Sequence, residues 1–274
     1  MNLQRAGEDY LKPNYQNWVP KRMVTGFFAG AGAALLLFVL FGATGLILHG
    51  TARVICAIVL GLLALLLLLF AVWMLLLYRA FDYDGKRQLS RTIVEGVAKY
   101  VDLPEGGIGL DVGCGSGALT IACAKRNPNA QMIGCDIWSG AYKAVFTKEL
   151  CERNARAEGT ANARFERGDA TKLPFADEVF DAVTSNYVYH NIPMANRQNL
   201  LLETLRTLKK GGCFAIHDIM SERRYDDMEA FAEKLRGMGY EEVRLIDTTD
   251  GTFLDKKEAA WMGLAGSTLL VGRK

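Results

Sequence analysis

Residues 109–117 read GLDVGCGSG, and this segment decides how the C-terminal two thirds of the chain folds. The apolar run that ends at Val112 predicts a buried strand, and the ALT that follows Gly117 opens a helix. Glycines at 113, 115 and 117 allow the backbone to turn tightly and to approach a ligand closely. In doubly wound sheets such a turn lies at the carboxyl edge, where ligands bind. The segment therefore predicts a strand, a glycine loop and a helix that together form a ligand site.

Short β-rich runs alternate with helical stretches from about residue 86 to residue 274. The strand segments are GIGLDV, AQMIGCDI, ARFERG, FDAVTSN, GGCFAIHDI, EEVRLID and STLLVGRK. This alternation predicts an α/β fold with a doubly wound, mostly parallel, seven-stranded sheet. No obvious crossover helix separates the last two segments. We therefore expect them to pair as an antiparallel hairpin, which gives the sheet an antiparallel C-terminal strand.

The glycine loop alone leaves two classes of ligand open. Gly113, Gly115 and Ala118 satisfy the dinucleotide fingerprint G-x-G-x-x-G/A, which keeps an NAD-dependent oxidoreductase as an alternative. Asp111 favours a different ligand, because a carboxylate two residues before the first glycine can meet the positively charged amino group of an amino-acid-like molecule. The extra glycine at 117 and a second acidic turn, GDATKLPF at 168–175, point the same way.

Five motifs follow one another in order along the chain. They are LDVGCGSG, GCDIW at 134–138, GDATKLPF, FDAVTSNYVYHNI at 180–192 and LRTLKKGGCFAIHDI at 205–219. Over roughly residues 88–274 the chain thereby resembles the class I, Rossmann-like methyltransferases that use S-adenosylmethionine (SAM). The resemblance implies SAM as cofactor and methyl transfer as the activity. A non-catalytic SAM-binding membrane protein is a second alternative.

The resemblance also implies how SAM is held. The glycine loop would contact its methionine part, and Asp136 would accept both ribose hydroxyls. Asp169 would meet the adenine amino group and the backbone of Ala170 the ring edge, while Trp138 would either stack on adenine or pack beneath the next helix. The full set of implied cofactor residues is Asp111, Gly113, Cys114, Gly115, Gly117, Asp136, Ile137, Trp138, Asp169, Ala170 and Asn186.

Two polar residues beside the fourth strand segment are candidates for catalysis. His190 lies just past that segment, and a histidine can act as a base because it titrates near neutrality. Asn186, at the end of the segment, is placed to face either ligand. His217, near the end of the fifth segment, is a weaker candidate base. The alternative for each is a place in the wall of the site.

Two long apolar runs precede this domain. Residues 24–48 and 54–78 are each 25 residues without a charged side chain. As helices each would be about 37 Å long, which exceeds the roughly 30 Å hydrocarbon core of a bilayer. We therefore expect a tail at 1–23, two membrane-spanning helices and a short loop at 49–53. The first run is too long for the apolar core of a signal peptide.

Charges around the two runs predict their orientation. Basic residues flank them on the outer sides: Arg5, Lys12, Lys21 and Arg22 before, Arg79, Lys86, Arg87 and Arg91 after. The loop carries only Arg53. The positive-inside rule then places both termini and the catalytic domain in the cytoplasm. A site held at the membrane favours a small acceptor that partitions into the bilayer, such as a lipid or a quinone-like molecule.

Charge and cysteine content exclude other classes. The net charge of +2 gives no electrostatic case for nucleic acid as a partner. The six cysteines are not spaced as Cys-x-x-Cys pairs, and no histidine cluster accompanies them. That spacing supports neither a metal site nor a disulfide framework, and it is typical of reduced thiols in a cytosolic domain.

Overall fold

The computed structural model of the protein describes residues 12–44, 47–139, 145–193 and 196–274. The chain divides into two compact units. One comprises residues 17–90, and the other comprises residues 91–274 together with residues 12–16. Arg5 and the rest of residues 1–11 lie outside the described residues, as do residues 45–46 of the first predicted span.

Two long apolar helices form the first unit. Helix α1 (Lys21–Leu37) continues as a wider π-helical segment, Phe38–Ala43, and helix α2 runs over Gly50–Ala80. Both are long and apolar enough to cross a membrane. Helix α2 already begins at Gly50, four residues before the start expected from the apolar run. Arg53 lies in that first turn and donates from Nε to the carbonyl of Gly42 at 2.8 Å.

Small residues bring the two helices close together. A Cβ built on Gly42 would lie 2.6 Å from the Cα of Ala57, and one on Gly30 would lie 3.6 Å from Leu67 Cδ1. A larger side chain at Gly42 would therefore push the helices apart. The large apolar side chains of α2 turn outward instead, and Ile58 and Leu66 are 57% and 63% exposed.

The second unit is a seven-stranded α/β sheet, as the sequence predicts. Its strands lie in the order β3-β2-β1-β4-β5-β7-β6. The strands are β1 (Ile108–Val112), β2 (Gln131–Asp136), β3 (Ala163–Arg167), β4 (Phe180–Asn186), β5 (Leu208–Ile219), β6 (Glu241–Asp247) and β7 (Ser267–Arg273). The helices are α3 (Leu89–Ala98), α4 (Ala118–Arg126), α5 (Lys148–Ala157), α6 (Gln198–Arg206), α7 (Glu222–Tyr225), α8 (Met228–Gly237) and α9 (Lys256–Met262).

Strands β1 to β5 are parallel to one another, so their carboxyl ends meet at one edge. The register fixes this edge: Asp136 pairs with Arg167 of β3, and Val112 pairs with Cys135 of β2 and Ser185 of β4. Apolar side chains on the faces of these strands are buried under the helices. This packing makes the edge a rigid platform for the loops that follow β1 to β5.

Strand β7 pairs antiparallel with both β5 and β6, which confirms the antiparallel C-terminal strand. Strands β6 and β7 pair antiparallel as expected, but their connection contains a helix that the sequence analysis did not find, α9 (Lys256–Met262). Asp255 begins this helix with a capping box: its carboxylate accepts the Glu258 N–H, and the Glu258 side chain accepts the Asp255 N–H. The local sequence thus carried a helix signal within a connection in which no helix was expected.

Candidate functional site

The glycine loop connects β1 to α4 in the way the sequence predicts. Gly113, Gly115 and Gly117 adopt φ angles of 73°, 54° and 83°. These angles lie in the left-handed region, which residues with a Cβ adopt only at a cost. The N–H groups of Gly113 and Cys114 both donate to the carbonyl of Cys135, at 2.8 and 3.1 Å. The loop is therefore fastened to the neighbouring strand β2.

The chain after β4 lies directly against this loop. A Cβ built on Gly113 would lie 2.4 Å from Val188 Cγ2, so the residue at 113 has no room for a side chain. The space beside Gly115 is wider, because a Cβ built there would lie 3.8 Å from its nearest neighbour, Phe146 Cδ2. The segments after β1 and β4 thus meet at Gly113, while the backbone of Gly115 stays accessible to a ligand.

Asp136 ends strand β2 with its carboxylate at the glycine loop. One oxygen accepts the Gly115 N–H at 3.0 Å, and the other accepts the Trp138 N–H at 2.7 Å. A carboxylate offers about four acceptor positions, so these two bonds leave capacity for two further donors. That remaining capacity suits a pair of adjacent hydroxyl groups.

Trp138 also bonds the glycine loop beside Asp136. Its indole Nε1–H donates to the carbonyl of Gly115 at 3.1 Å, and its backbone adopts φ +41°. Ile137, between the two, is 41% exposed. The Trp138 side chain is therefore hydrogen-bonded to the glycine loop, and its stacking on adenine stays a prediction.

Asp111 lies beneath the loop and is fully buried. Its two carboxylate oxygens accept the hydroxyl protons of Thr120 at 2.6 Å and Thr184 at 2.9 Å. Burial raises the pKa of Asp111 to about 7, against the lowering effect of these two hydrogen bonds. Both oxygens are thus occupied by threonines, and the expected contact with a ligand amino group stays a prediction. The thiol of Cys114 is also buried, and burial raises its pKa.

Asp169 lies on the turn after β3, one strand along from Asp136. Its carboxylate accepts both the N–H and the hydroxyl of Thr171, at 2.8 and 2.7 Å. Asp169 is exposed, whereas Ala170 beside it is buried. The third motif therefore reaches the same edge of the sheet as the first two.

Asn186 and His217 form a buried link between strands. His217 Nδ1 and Asn186 Oδ1 are 2.8 Å apart, and His217 Nε2 bonds Thr248 Oγ1 at 2.9 Å. Burial lowers the pKa of His217 to about 3, although the neighbouring Asp218 favours its charged form. His217 is therefore neutral with both ring nitrogens paired, which corrects its candidacy as a base.

His190 has a different environment on the single turn Tyr189–Asn191. Its Nδ1 lies 2.5 Å from Asp218 Oδ1, and its N–H donates to Asp218 Oδ2 at 3.1 Å. Tyr225 also donates to Asp218 Oδ2, at 2.9 Å. Sequence reasoning missed Asp218 and Tyr225. An acid at the carboxyl end of a parallel strand was an available signal for Asp218, while nothing in the sequence marked Tyr225.

Comparison with known proteins places the chain among methyltransferases. A family model described as a methyltransferase domain matches residues 110–216. A demethylmenaquinone methyltransferase of Thermobifida fusca (strain YX) is 30% identical over 197 residues, which cover 70% of this chain and 76% of that protein. A demethylmenaquinone methyltransferase of Lactobacillus johnsonii is 34% identical over 115 residues, or 42% of this chain. The matched part spans less than half, 44%, of the Lactobacillus protein.

Solved structures share the fold. A geranyl diphosphate methyltransferase in complex with GPP and sinefungin superposes with a TM-score of 0.53 at 16% identity, over 72% of this chain and 81% of that one. The [4+2]-cyclase SpnF superposes with a TM-score of 0.52 at 23% identity, over 70% and 84%. Since the second is a cyclase, the fold alone does not specify methyl transfer. The sequence match to the Thermobifida protein, with the glycine loop and the order of the seven strands, shows that this chain belongs to the class I SAM-dependent methyltransferase family.

Proposed function

We propose that the chain is an enzyme that transfers a methyl group from SAM to a small lipophilic acceptor at a membrane. The observation that carries this proposal is the 3.0 Å bond between the Gly115 N–H and the Asp136 carboxylate. It joins the first and second motifs, which in this family hold the methionine part and the ribose of the donor. The matched methyltransferase domain contains both residues.

The residues at the edge fit SAM on two counts. The glycine loop leaves free space beside Gly115, where a side chain would otherwise lie, and Asp136 retains acceptor capacity for two ribose hydroxyls. We assign the backbone of Gly113, Cys114, Gly115 and Gly117 to the methionine part. SAM supplies a methyl carbon bound to positively charged sulfur, so the protein's main task is to align the acceptor with it.

The remaining assignments follow the order of the strands. Asp169 and Ala170, one strand beyond Asp136, take the adenine amino group and ring edge. Trp138 and Ile137 line the same end of the site. Asn186 lies on the opposite side of the loop, at the end of β4, and Asp111 supports the loop from beneath through its bonds to Thr120 and Thr184.

A membrane location is supported by the surface of the two apolar helices. A helix in the core of a soluble protein is mostly covered, whereas the large side chains of α2 are exposed along its length, including Ile58, Leu66 and Leu69. An exposed apolar surface of this size is stable in hydrocarbon and costly in water. We propose that both helices span the bilayer, with the termini and the catalytic unit on the cytoplasmic side.

The acceptor follows from the location and the relatives. Two relatives are named for demethylmenaquinone, a quinone. An acceptor of that class dissolves in the bilayer in which the two helices would lie. We therefore propose a quinone-like or other lipophilic small molecule as the acceptor, in preference to a protein.

Titration calorimetry with matched variants tests the donor assignment. Asp136→Ala removes the ribose acceptor, and Glu105→Ala removes an exposed acid at the opposite edge of the sheet. Bonds to a charged acceptor contribute about 1.5–3 kcal/mol each, so Asp136→Ala should weaken SAM binding by at least about 10-fold. Glu105→Ala should bind SAM like the unmodified chain. Equal SAM affinity in both variants, or tighter binding of NAD than of SAM, would overturn the assignment.

Site-directed labelling tests the orientation. His49→Cys places a thiol in the loop between the helices, and Lys12→Cys places one before α1. A maleimide that does not cross membranes should label position 49 in intact bacterial spheroplasts and position 12 only after they are opened. Labelling of both positions in intact spheroplasts would contradict two spans.

A further inference from the structure

We propose that His190 accepts a proton from a hydroxyl group of the methyl acceptor, with Asp218 as the residue that positions it. The acceptor is then a phenol, an enol or a similar hydroxyl compound that is methylated on oxygen. This inference rests on the proposed methyl transfer and adds to it the chemical class of the acceptor.

Four donors hold the Asp218 carboxylate in place, and one of them is the backbone N–H of His190, 3.1 Å from Oδ2. His190 Nδ1 lies 2.5 Å from Oδ1, the Ile219 N–H donates to Oδ1 at 2.7 Å, and Tyr225 donates to Oδ2 at 2.9 Å. Asp218 is fully buried. Burial by itself would raise its pKa, but the contact with His190 and the other hydrogen bonds hold the pKa of Asp218 below its usual value. The group that receives the Nδ1–H bond is thus a fixed carboxylate.

This contact fixes the tautomer of His190. Because the carboxylate accepts at Nδ1, the ring proton stays there and the lone pair lies on Nε2. Among the residues that the structure describes, none forms a hydrogen bond with Nε2. The His190 side chain is 16% exposed, so solvent or a ligand can reach it.

The position of His190 suits a base in the proposed site. Val188, two residues earlier, packs against Gly113 of the glycine loop. The other groups around the histidine are Tyr187, with ring centroids 5.9 Å apart, and Arg197, whose Nε donates to the Tyr189 carbonyl. His217 differs in each respect, since it is buried and both of its nitrogens are bonded.

The proton and electron balance is simple. The O–H bond of the acceptor breaks, and its proton goes to Nε2 of His190. The electron pair left on oxygen forms the new bond to the methyl carbon as the carbon–sulfur bond breaks, and that pair stays on sulfur, which becomes a neutral thioether. His190 then releases its proton to solvent. A neutral amine would need no such base, because its nitrogen is nucleophilic enough to attack directly and can lose a proton to solvent afterwards, whereas a neutral hydroxyl oxygen is a weak nucleophile.

The test uses the whole chain in lipid bilayers with methyl-labelled SAM and a bacterial membrane extract as the source of acceptor. NMR of the labelled product identifies the atom that carries the methyl group. His190→Gln should lower kcat by about 100-fold or more, which is the range for loss of a general base, while SAM affinity is kept. His49→Gln, in the loop between the apolar helices, is the matched control and should keep full activity.

A pH profile separates catalysis from structure. In the unmodified chain kcat should fall on the acidic side as the base becomes protonated, and His190→Gln should lack this fall. Asp218→Asn should lower kcat and shift the profile, since an amide does not fix the same tautomer. A labelled N-methyl or C-methyl product, or an unchanged profile in His190→Gln, would overturn the inference. Absence of any labelled product in the unmodified chain would instead refute the proposed methyl transfer.

Discussion

Asp111 makes the stability of the α/β unit depend on pH in an unusual direction. Its carboxyl group is buried beneath the glycine loop, where it bonds the hydroxyls of Thr120 and Thr184 and the backbone N–H of Thr120. Among the residues that the structure describes, no cation offsets the cost of burying its charge, so the neutral form is favoured. We predict that Asp111→Asn, which keeps the shape and removes the ionisation, stabilises the unit at alkaline pH.

The size of the effect follows from the pKa. Burial raises the pKa of Asp111 to about 7, from an ordinary value of 3.8. Between these values the folded chain keeps a proton that the unfolded chain has lost, so the free energy of unfolding falls as pH rises. The loss begins near pH 4, is complete by about pH 8, and amounts to about 4 kcal/mol at most. Below pH 4 both states are protonated and the effect vanishes.

Urea unfolding of the detergent-solubilised chain, followed by far-ultraviolet circular dichroism from pH 4 to pH 8, measures this difference. The free energy of unfolding of the unmodified chain should fall by several kcal/mol relative to Asp111→Asn over that range. Asp181→Asn is the control of opposite sign, because the Ile108 N–H and Lys209 hold the pKa of Asp181 below its usual value. Parallel pH curves for the unmodified chain and Asp111→Asn would refute the placement of a neutral acid beneath the loop.

Three further substitutions have outcomes fixed by single contacts. Gly113→Ala forces a Cβ into a left-handed conformation, at about 1–2 kcal/mol, and against Val188; calorimetry should show weaker SAM binding that Val188→Ala partly restores. Asn154→Ala removes a buried amide that bonds the backbone of Asn14 and the carbonyl of Ser116, so the Asn14 N–H should exchange with deuterium faster; an unchanged exchange rate would contradict that anchoring role. Asp255→Ala removes the capping box of α9 and should lower the thermal midpoint by an amount that corresponds to about 1 kcal/mol, whereas no change would show that the cap is dispensable.

The sequence predicts most of the fold because local patterns carry it. Each of the seven β-rich segments forms a strand, and the glycine loop follows β1 as expected, since these features depend on neighbouring residues. The missed helix α9 was also a local feature. Its seven residues are too few for a clear apolar period, and the capping box of Asp255 and Glu258 was its main signal.

The sequence predicts less of the site because its contacts join distant parts of the chain. The carboxylate of Asp111 reaches Thr184, which is 73 residues away, and His190 reaches Asp218, 28 residues away. Asn186 and His217 were read as separate candidates, yet they bond each other. Periodicity places these residues at one edge of the sheet, but only the packing of the strands decides which side chains meet.

Methyl transfer from SAM is tested most directly by a labelled-methyl assay on the chain of 274 residues in lipid bilayers. Methyl-labelled SAM and a membrane extract are supplied, and the label in lipid-soluble products is counted. The unmodified chain and Glu105→Ala should give the same labelled product, and Asp136→Ala at least about 10-fold less of it at SAM concentrations below Kd. Saturable SAM binding without label in any product would contradict the proposed methyl transfer. It would favour the alternative of a non-catalytic SAM-binding membrane protein.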